Sequence, residues 1–127
     1  MPTGPRPLLL SDIVDRAVEI CDPTGESAAC QQFLLRFEDA DEPVTAMAAL
    51  KSQISEAASW IDPEREDPAF AMTEAVCTYL AFRRKQLTDN PQQILRLAAR
   101  AGFEGRPPPH VTEWLDGRGV VLRGPRR

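Results

Sequence analysis

The longest apolar stretch of the sequence constrains the fold more than any other feature. Between Ala69 and Phe82, 11 of 14 residues are apolar, and Asp67 and Pro68 come directly before them. An aspartate followed by a proline is typical of a helix start, because the carboxylate accepts hydrogen bonds from free N–H groups and proline needs no acceptor there. A helix this apolar must be covered on most of its sides. We therefore predict a central buried helix over Asp67–Leu87.

Apolar residues at helical spacing predict further helices before and after this one. Capping residues and turns place them at Ser11–Cys21, Ser27–Glu38, Val44–Ile61, Pro91–Ala101 and His110–Asp116. No segment alternates steadily between apolar and polar residues, so we expect no sheet. The predicted fold is all-α, with five or six helices arranged as antiparallel hairpins around the central helix.

The composition divides the chain of 127 residues into three regions. Residues 1–8 are rich in proline and are predicted to form an extended arm, and residues 9–117 are expected to form a single helical domain with its own core. Residues 118–127 include four arginines, so we expect a basic tail there.

A short pattern recurs 40 residues apart. The first copy is Val14, Ala17, Val18, Cys21, Asp22 and Pro23, and the second is Ile54, Ala57, Ala58, Ile61, Asp62 and Pro63. A period near 40 resembles that of HEAT-type repeats. The same helix-end chemistry occurs in unrelated helical bundles, so the sequence leaves a bundle and a short HEAT-like array as alternatives.

The net charge of −4 conceals a division along the chain. Residues 1–82 carry a net charge of −10, whereas residues 83–127 carry +6. A basic segment of this kind can bind a polyanion, or it can pair with an acidic surface of the same molecule or of a neighbour. The candidate interaction residues are the cations of the basic segment Arg83, Arg84, Lys85, Arg106, Arg118, Arg123, Arg126 and Arg127.

Residues that could carry catalysis or bind metals are sparse. His110 is the single histidine and has no second ligand at metal-site spacing, and the acidic turns lack the central glycine of an EF-hand. Glu74 is either a general base in a pocket or part of a solvent-facing edge with Thr73 and Thr78. No phosphate loop, nucleophile elbow or Cys-x-x-Cys motif occurs. We therefore predict no enzyme activity, no cofactor and no metal.

In the C-terminal third, Ala98 precedes the turn residue Gly102 by four positions. In this spacing the segment is similar to a helix-turn-helix DNA-binding motif. The sequence departs from the family in its turn, because Glu104–Pro109 is too long. The second helix also offers Glu113 and Asp116 where base or phosphate contacts need cationic or amide side chains.

No segment has the length of a membrane span, because a transmembrane helix needs about 20 apolar residues and Glu74 interrupts a shorter run. The leucine run within Met1–Asp12 is too short for a secretory signal. Cys21, Cys30 and Cys77 are odd in number and far apart, which indicates core thiols in a reducing compartment. We expect a cytoplasmic protein.

These observations favour a non-catalytic protein-interaction or scaffold module, for which self-association through opposite charges is one form. The partner is then a protein, including a second copy of this chain. The alternative is a nucleic-acid-binding regulator that uses residues 83–127. An enzyme with Glu74 in a helical pocket is the third hypothesis.

Overall fold

A computed structural model of the chain describes residues 9–38, 47–83, 89–103 and 106–120. Across these residues the structure has six helices and no strand, so the predicted all-α fold is confirmed. The helices are α1 (Leu10–Cys21), α2 (Ala28–Phe37), α3 (Met47–Ile61), α4 (Pro68–Phe82), α5 (Pro91–Phe103) and α6 (Pro109–Gly117). The start predicted for α3 at Val44 lies outside the described residues.

The helix starts follow local capping chemistry. Ser27 caps α2 by accepting a hydrogen bond from the Cys30 N–H at 3.1 Å. The predicted Ser11 cap is wrong, because the Asp12 carboxylate reaches back to the Leu9 N–H at 3.0 Å and so moves the cap to Leu9. A side chain three positions into the helix therefore sets its first residue.

Helix α4 begins as predicted. Asp67 is its cap and accepts from the Ala69 N–H at 3.0 Å, and Pro68 is its first residue. Ten of its 15 residues are buried, and it packs against each of the other helices described, most extensively against α5 and α1. It ends at Phe82 with Arg83 as its C-cap, and the predicted continuation to Leu87 falls on residues 84–88, outside the described residues.

The core contains buried polar and sulfur groups that partner each other. Thr73 is fully buried, so its predicted place on a solvent-facing edge is wrong. Its hydroxyl donates to the Ala69 carbonyl at 2.8 Å and lies 3.2 Å from the Cys30 sulfur. Burial raises the pKa of all three thiols, those of Cys21, Cys30 and Cys77. Since the thiolate is the reactive form, these cysteines are packing residues.

The two halves of the repeated pattern form matching turns. The Asp22 carboxylate accepts from the backbone N–H groups of residues 26 and 27, and the Asp62 carboxylate accepts from those of residues 66 and 67. The two turns then meet, because the Ser27 hydroxyl donates to the Asp67 carboxylate at 2.5 Å. Two N-caps that are 40 residues apart therefore join the starts of α2 and α4.

The contacts between the helices are consistent with a bundle. Helix α1 packs extensively on α4, and α2 contacts both α3 and α4. A stacked array also places equivalent helices of successive hairpins side by side, and the α2–α4 contact is of that kind. The HEAT-like array therefore stays a prediction.

Candidate interaction groove

A groove of about 680 Å³ lies along α4 from Ala71 to Arg83, between the C-terminal end of α5 and Lys51 of α3. It is lined by Lys51, Ala71, Glu74, Ala75, Thr78, Tyr79, Phe82, Arg83, Ala101, Gly102 and Phe103. Its volume falls within the range of ligand-binding clefts. The lining combines aromatic walls, a floor of small residues and two cations.

The base of the groove is formed where α4 and α5 approach closely at Gly102. A Cβ atom at Gly102 would lie only 3.0 Å from the Cβ of Ala75, so a larger residue would push the helices apart. The aromatic ring of Phe82 stands beside this floor with 63% of its surface exposed. A large apolar side chain at the rim of an apolar groove is therefore left uncovered.

Glu74 lies on the wall of the groove and is paired with Arg65. The Arg65 guanidinium donates to one carboxylate oxygen at 2.9 Å and to the other at 3.5 Å. Burial raises the pKa of Glu74, and the positive charge of Arg65 opposes that rise. Glu74 fits neither the general base nor the solvent-facing edge fully. Its carboxylate is half-buried beside the groove, and it is already paired with Arg65.

Arg65 is held from several sides. Its backbone has a φ of +53°, a left-handed conformation that residues other than glycine rarely adopt. Its side chain also donates to the Asp62 carbonyl at 2.9 Å, and its own carbonyl accepts from His110 Nε2 at 2.8 Å. The single histidine therefore ties the start of α6 to this turn.

Three of the eight predicted basic residues, Arg83, Arg106 and Arg118, lie in the described part of the chain, and they differ in exposure. Arg83 is exposed at the groove, and Arg106 is exposed just after α5. Arg118 is half-buried, because its guanidinium lies 4.4 Å from the centre of the Trp114 ring and donates to the Cys21 carbonyl at 3.1 Å. The other predicted cations, Arg84, Lys85, Arg123, Arg126 and Arg127, lie outside the described residues.

Three exposed cations are not among the predicted interaction residues. Lys51 lines it from α3, while Arg96 and Arg100 lie on the outer face of α5. The signal for the α5 pair was present in the sequence, since they are four residues apart on a helix that contains no acidic residue. Lys51 could be assigned only once the α3–α4 packing was known.

The division of charge along the sequence corresponds to a difference in charge between the two ends of α4. Exposed Glu26, Glu64 and Glu66 belong to the two turns that meet at its N-terminal end. Arg83 caps its C-terminal end, where Lys51 also lines the groove. Among the described residues, ion pairs join Arg16 to Glu19 and Arg65 to Glu74, and neither groove cation takes part in one.

The helix-turn-helix resemblance is not supported by the packing. Within the described part of the chain, α6 packs on α4, and α5 and α6 share no extensive contact. Glu113 and Asp116 on α6 are exposed and acidic. A recognition helix would instead present cationic or amide side chains to the major groove.

Comparison with protein-family models, with curated proteins and with solved structures finds no match to this chain. Among the described residues, no helix is long and apolar enough to cross a membrane, and no group of three or more histidine, cysteine or acidic side chains is placed to hold a metal ion. The function is therefore argued from the groove and the charges around it.

Proposed function

We propose that this protein is a protein-interaction module, and that the groove between α4 and α5 binds an apolar segment carrying acidic side chains. The observation that carries the proposal is the exposed Phe82 ring, which lines an apolar groove together with two exposed cations, Lys51 and Arg83. An amphipathic helix laid in such a groove is a recurring mode of peptide recognition.

The lining of the groove supports binding more than catalysis. Enzyme sites bring together several polar groups with matched roles, such as a nucleophile, a base and an oxyanion donor. The acidic group of this groove is Glu74, and Arg65 already occupies its carboxylate at 2.9 Å. The remaining floor consists of alanine and glycine, which offer contact area and close approach.

The charges support an acidic partner. Lys51 and Arg83 are exposed at the groove, and Arg100 lies next to its floor residue Ala101. Complementary charges steer association and exclude partners of the wrong sign. A segment with apolar anchors and flanking carboxylates therefore fits better than a basic one.

A pair of helical peptides tests the proposal. One peptide has leucine on one face and glutamate on the other, and its matched control replaces every glutamate with lysine. In NMR titrations of the full chain, we expect the glutamate peptide to shift amide signals of Ala71–Phe82 and Ala101–Phe103, and the lysine peptide to leave them unchanged. Phe82→Ala should abolish the shifts, whereas Leu35→Ala, at an equally exposed residue of α2, should not. Equal shifts with both peptides, or none with either, would contradict the proposal.

Binding of nucleic acid is the second candidate, favoured by the outer face of α5. Arg96 and Arg100 are exposed there at a spacing of four residues, and the helix has no acid to offset them. A duplex DNA titration with the variant Arg96→Gln/Arg100→Gln tests this function. If the two arginines contact phosphate, the slope of log affinity against log salt should become shallower by about 0.9 per contact.

A further inference from the structure

Trp60 is the most exposed large hydrophobic residue in the described part of the chain. Its exposed fraction is 77%, compared with 66% for Leu35 and 63% for Phe82. It lies off the buried stripe of α3, and exposed carboxylates occur four residues before it, at Glu56, and four residues after it, at Glu64. Glu56 is one helical turn before Trp60 on α3, and Glu64 belongs to the turn that follows α3, so Trp60 lies between two acids in the sequence.

We propose that the groove binds Trp60 of a second copy of this chain, so that the protein associates with itself. This inference rests on the proposed function of the groove and names its occupant. The occupant has the required chemistry, because an indole flanked by Glu56 and Glu64 is the counterpart of an apolar groove flanked by Lys51 and Arg83. Charge complementarity selects this pairing of surfaces over two copies of the same surface.

The contact has to join two molecules. Lys51, at the groove, and Trp60 are nine residues apart on the same straight helix, which separates them by about 14 Å along its axis. They also lie on opposite sides of that helix, since nine residues at 3.6 per turn make two and a half turns. Trp60 therefore cannot enter the groove of its own chain.

A tryptophan is well suited to this role. Its side chain supplies a large rigid contact area, and tryptophan is enriched among the few residues that dominate interface energies. The groove volume of about 680 Å³ leaves room for neighbouring side chains beside the indole. Because each copy offers one Trp60 and one groove, the contact is heterologous and builds rings or open chains.

Sedimentation velocity on the full chain tests the inference. The average mass should rise with protein concentration, and it should fall when salt is raised from about 0.1 M to about 1 M, which shortens the Debye length from about 10 Å to about 3 Å. Trp60→Ala and Phe82→Ala should each weaken self-association by roughly tenfold or more. Leu35→Ala is the matched control, because it removes an equally exposed apolar side chain elsewhere, and it should change nothing.

Mixing the two defective variants gives the decisive result. Trp60→Ala keeps an intact groove and Phe82→Ala keeps an intact anchor, so an equimolar mixture should form a 1:1 complex that does not grow further. Failure of the mixture to associate, or wild-type association by Trp60→Ala alone, would overturn the inference.

The glutamate peptide separates this inference from the proposed function. If the wild-type chain stays monomeric at every concentration while the peptide still binds Trp60→Ala, the inference is wrong and the groove serves a different protein. If neither association nor peptide binding occurs, both are wrong. Duplex DNA binding that is lost in Arg83→Glu and kept in Trp60→Ala would also overturn the inference, because the cations would then serve phosphate.

Discussion

The two ends of α4 differ in how many of their side chains make contacts within the molecule. At the N-terminal end, Asp22 and Asp62 hold their turns, and Ser27 donates to Asp67. At the C-terminal end, Phe82 is 63% exposed and Arg83 is exposed with no ion pair among the described residues. Groups that partner each other stabilise the fold, whereas exposed apolar and charged groups beside a groove are available to a partner.

The largest difference in stability is expected between variants at two residues of α4 that are only two positions apart. Leu80 is fully buried and Phe82 is 63% exposed. Leu80→Ala should lower the free energy of unfolding by about 2–5 kcal/mol, because it leaves a cavity among close-packed neighbours. Phe82→Ala should stay within about 0.5 kcal/mol of wild type, as surface substitutions do. Urea denaturation followed by circular dichroism measures both, and a large loss in Phe82→Ala would show that its ring stabilises the fold.

The second prediction concerns the linked caps at the N-terminal end. Asp67→Ala should destabilise the protein by about 0.5–2 kcal/mol, because it removes the α4 cap. Since Ser27 donates directly to Asp67, we expect the double variant with Ser27→Ala to lose less than the sum of the single losses. Strict additivity in a double-mutant cycle would argue against the contact. A calcium-dependent rise in melting temperature, absent in Asp67→Ala, would instead indicate a metal site in these turns.

The third prediction separates two arginines of the basic third. Arg118 stacks on Trp114 and donates to the Cys21 carbonyl, so Arg118→Ala should cost about 1–2 kcal/mol. Arg106 is exposed, so Arg106→Ala should remain within about 0.5 kcal/mol of wild type. Thermal denaturation of the two variants at one pH gives the comparison. Equal stability would indicate that Arg118, like Arg106, makes no contact that stabilises the fold.

Local chemistry predicted the caps of α2 and α4 and misplaced that of α1, whereas the groove could not be predicted from sequence neighbours. The caps at Ser27 and Asp67 act over two or three residues, so local chemistry revealed them. The groove depends on the close approach of Gly102 to Ala75, which are 27 positions apart and carry no functional signal of their own. Arg118 looked like a member of a basic tail because its partner carbonyl, that of Cys21, is 97 positions away.

Trp60 shows what periodicity could have added. The buried stripe of α3 contains Ile54, Ala57 and Ala58. Trp60 lies outside that stripe and between acidic residues, so its exposure follows from the helical period alone. A binding role for Trp60 does not follow from the period, because single exposed apolar side chains are common on protein surfaces. The role could be proposed only once a complementary groove was known.

The last prediction concerns Glu74, which lies between the partnered and the open parts of α4. Burial raises the pKa of its carboxyl above the ordinary value of 4.5, and Arg65 offsets only part of that rise. An acid whose pKa is raised by folding favours the folded state when it is protonated, and this contribution is lost as the pH rises through the folded pKa. Glu74→Gln should therefore match wild type at a pH below 4.5 and become slightly more stable than wild type at neutral pH. Denaturant titrations across this range measure the difference.

The matched control for this prediction is Arg65→Gln. Without the guanidinium, the pKa of Glu74 should rise further, so the stability that this variant loses with increasing pH should exceed the loss in wild type. A Glu74→Gln variant that is less stable than wild type at neutral pH would show that the ion pair outweighs burial. Glu74 would then belong with the partnered end of α4, where charged groups stabilise the fold, and the groove would depend on Phe82, Lys51 and Arg83 for recognition.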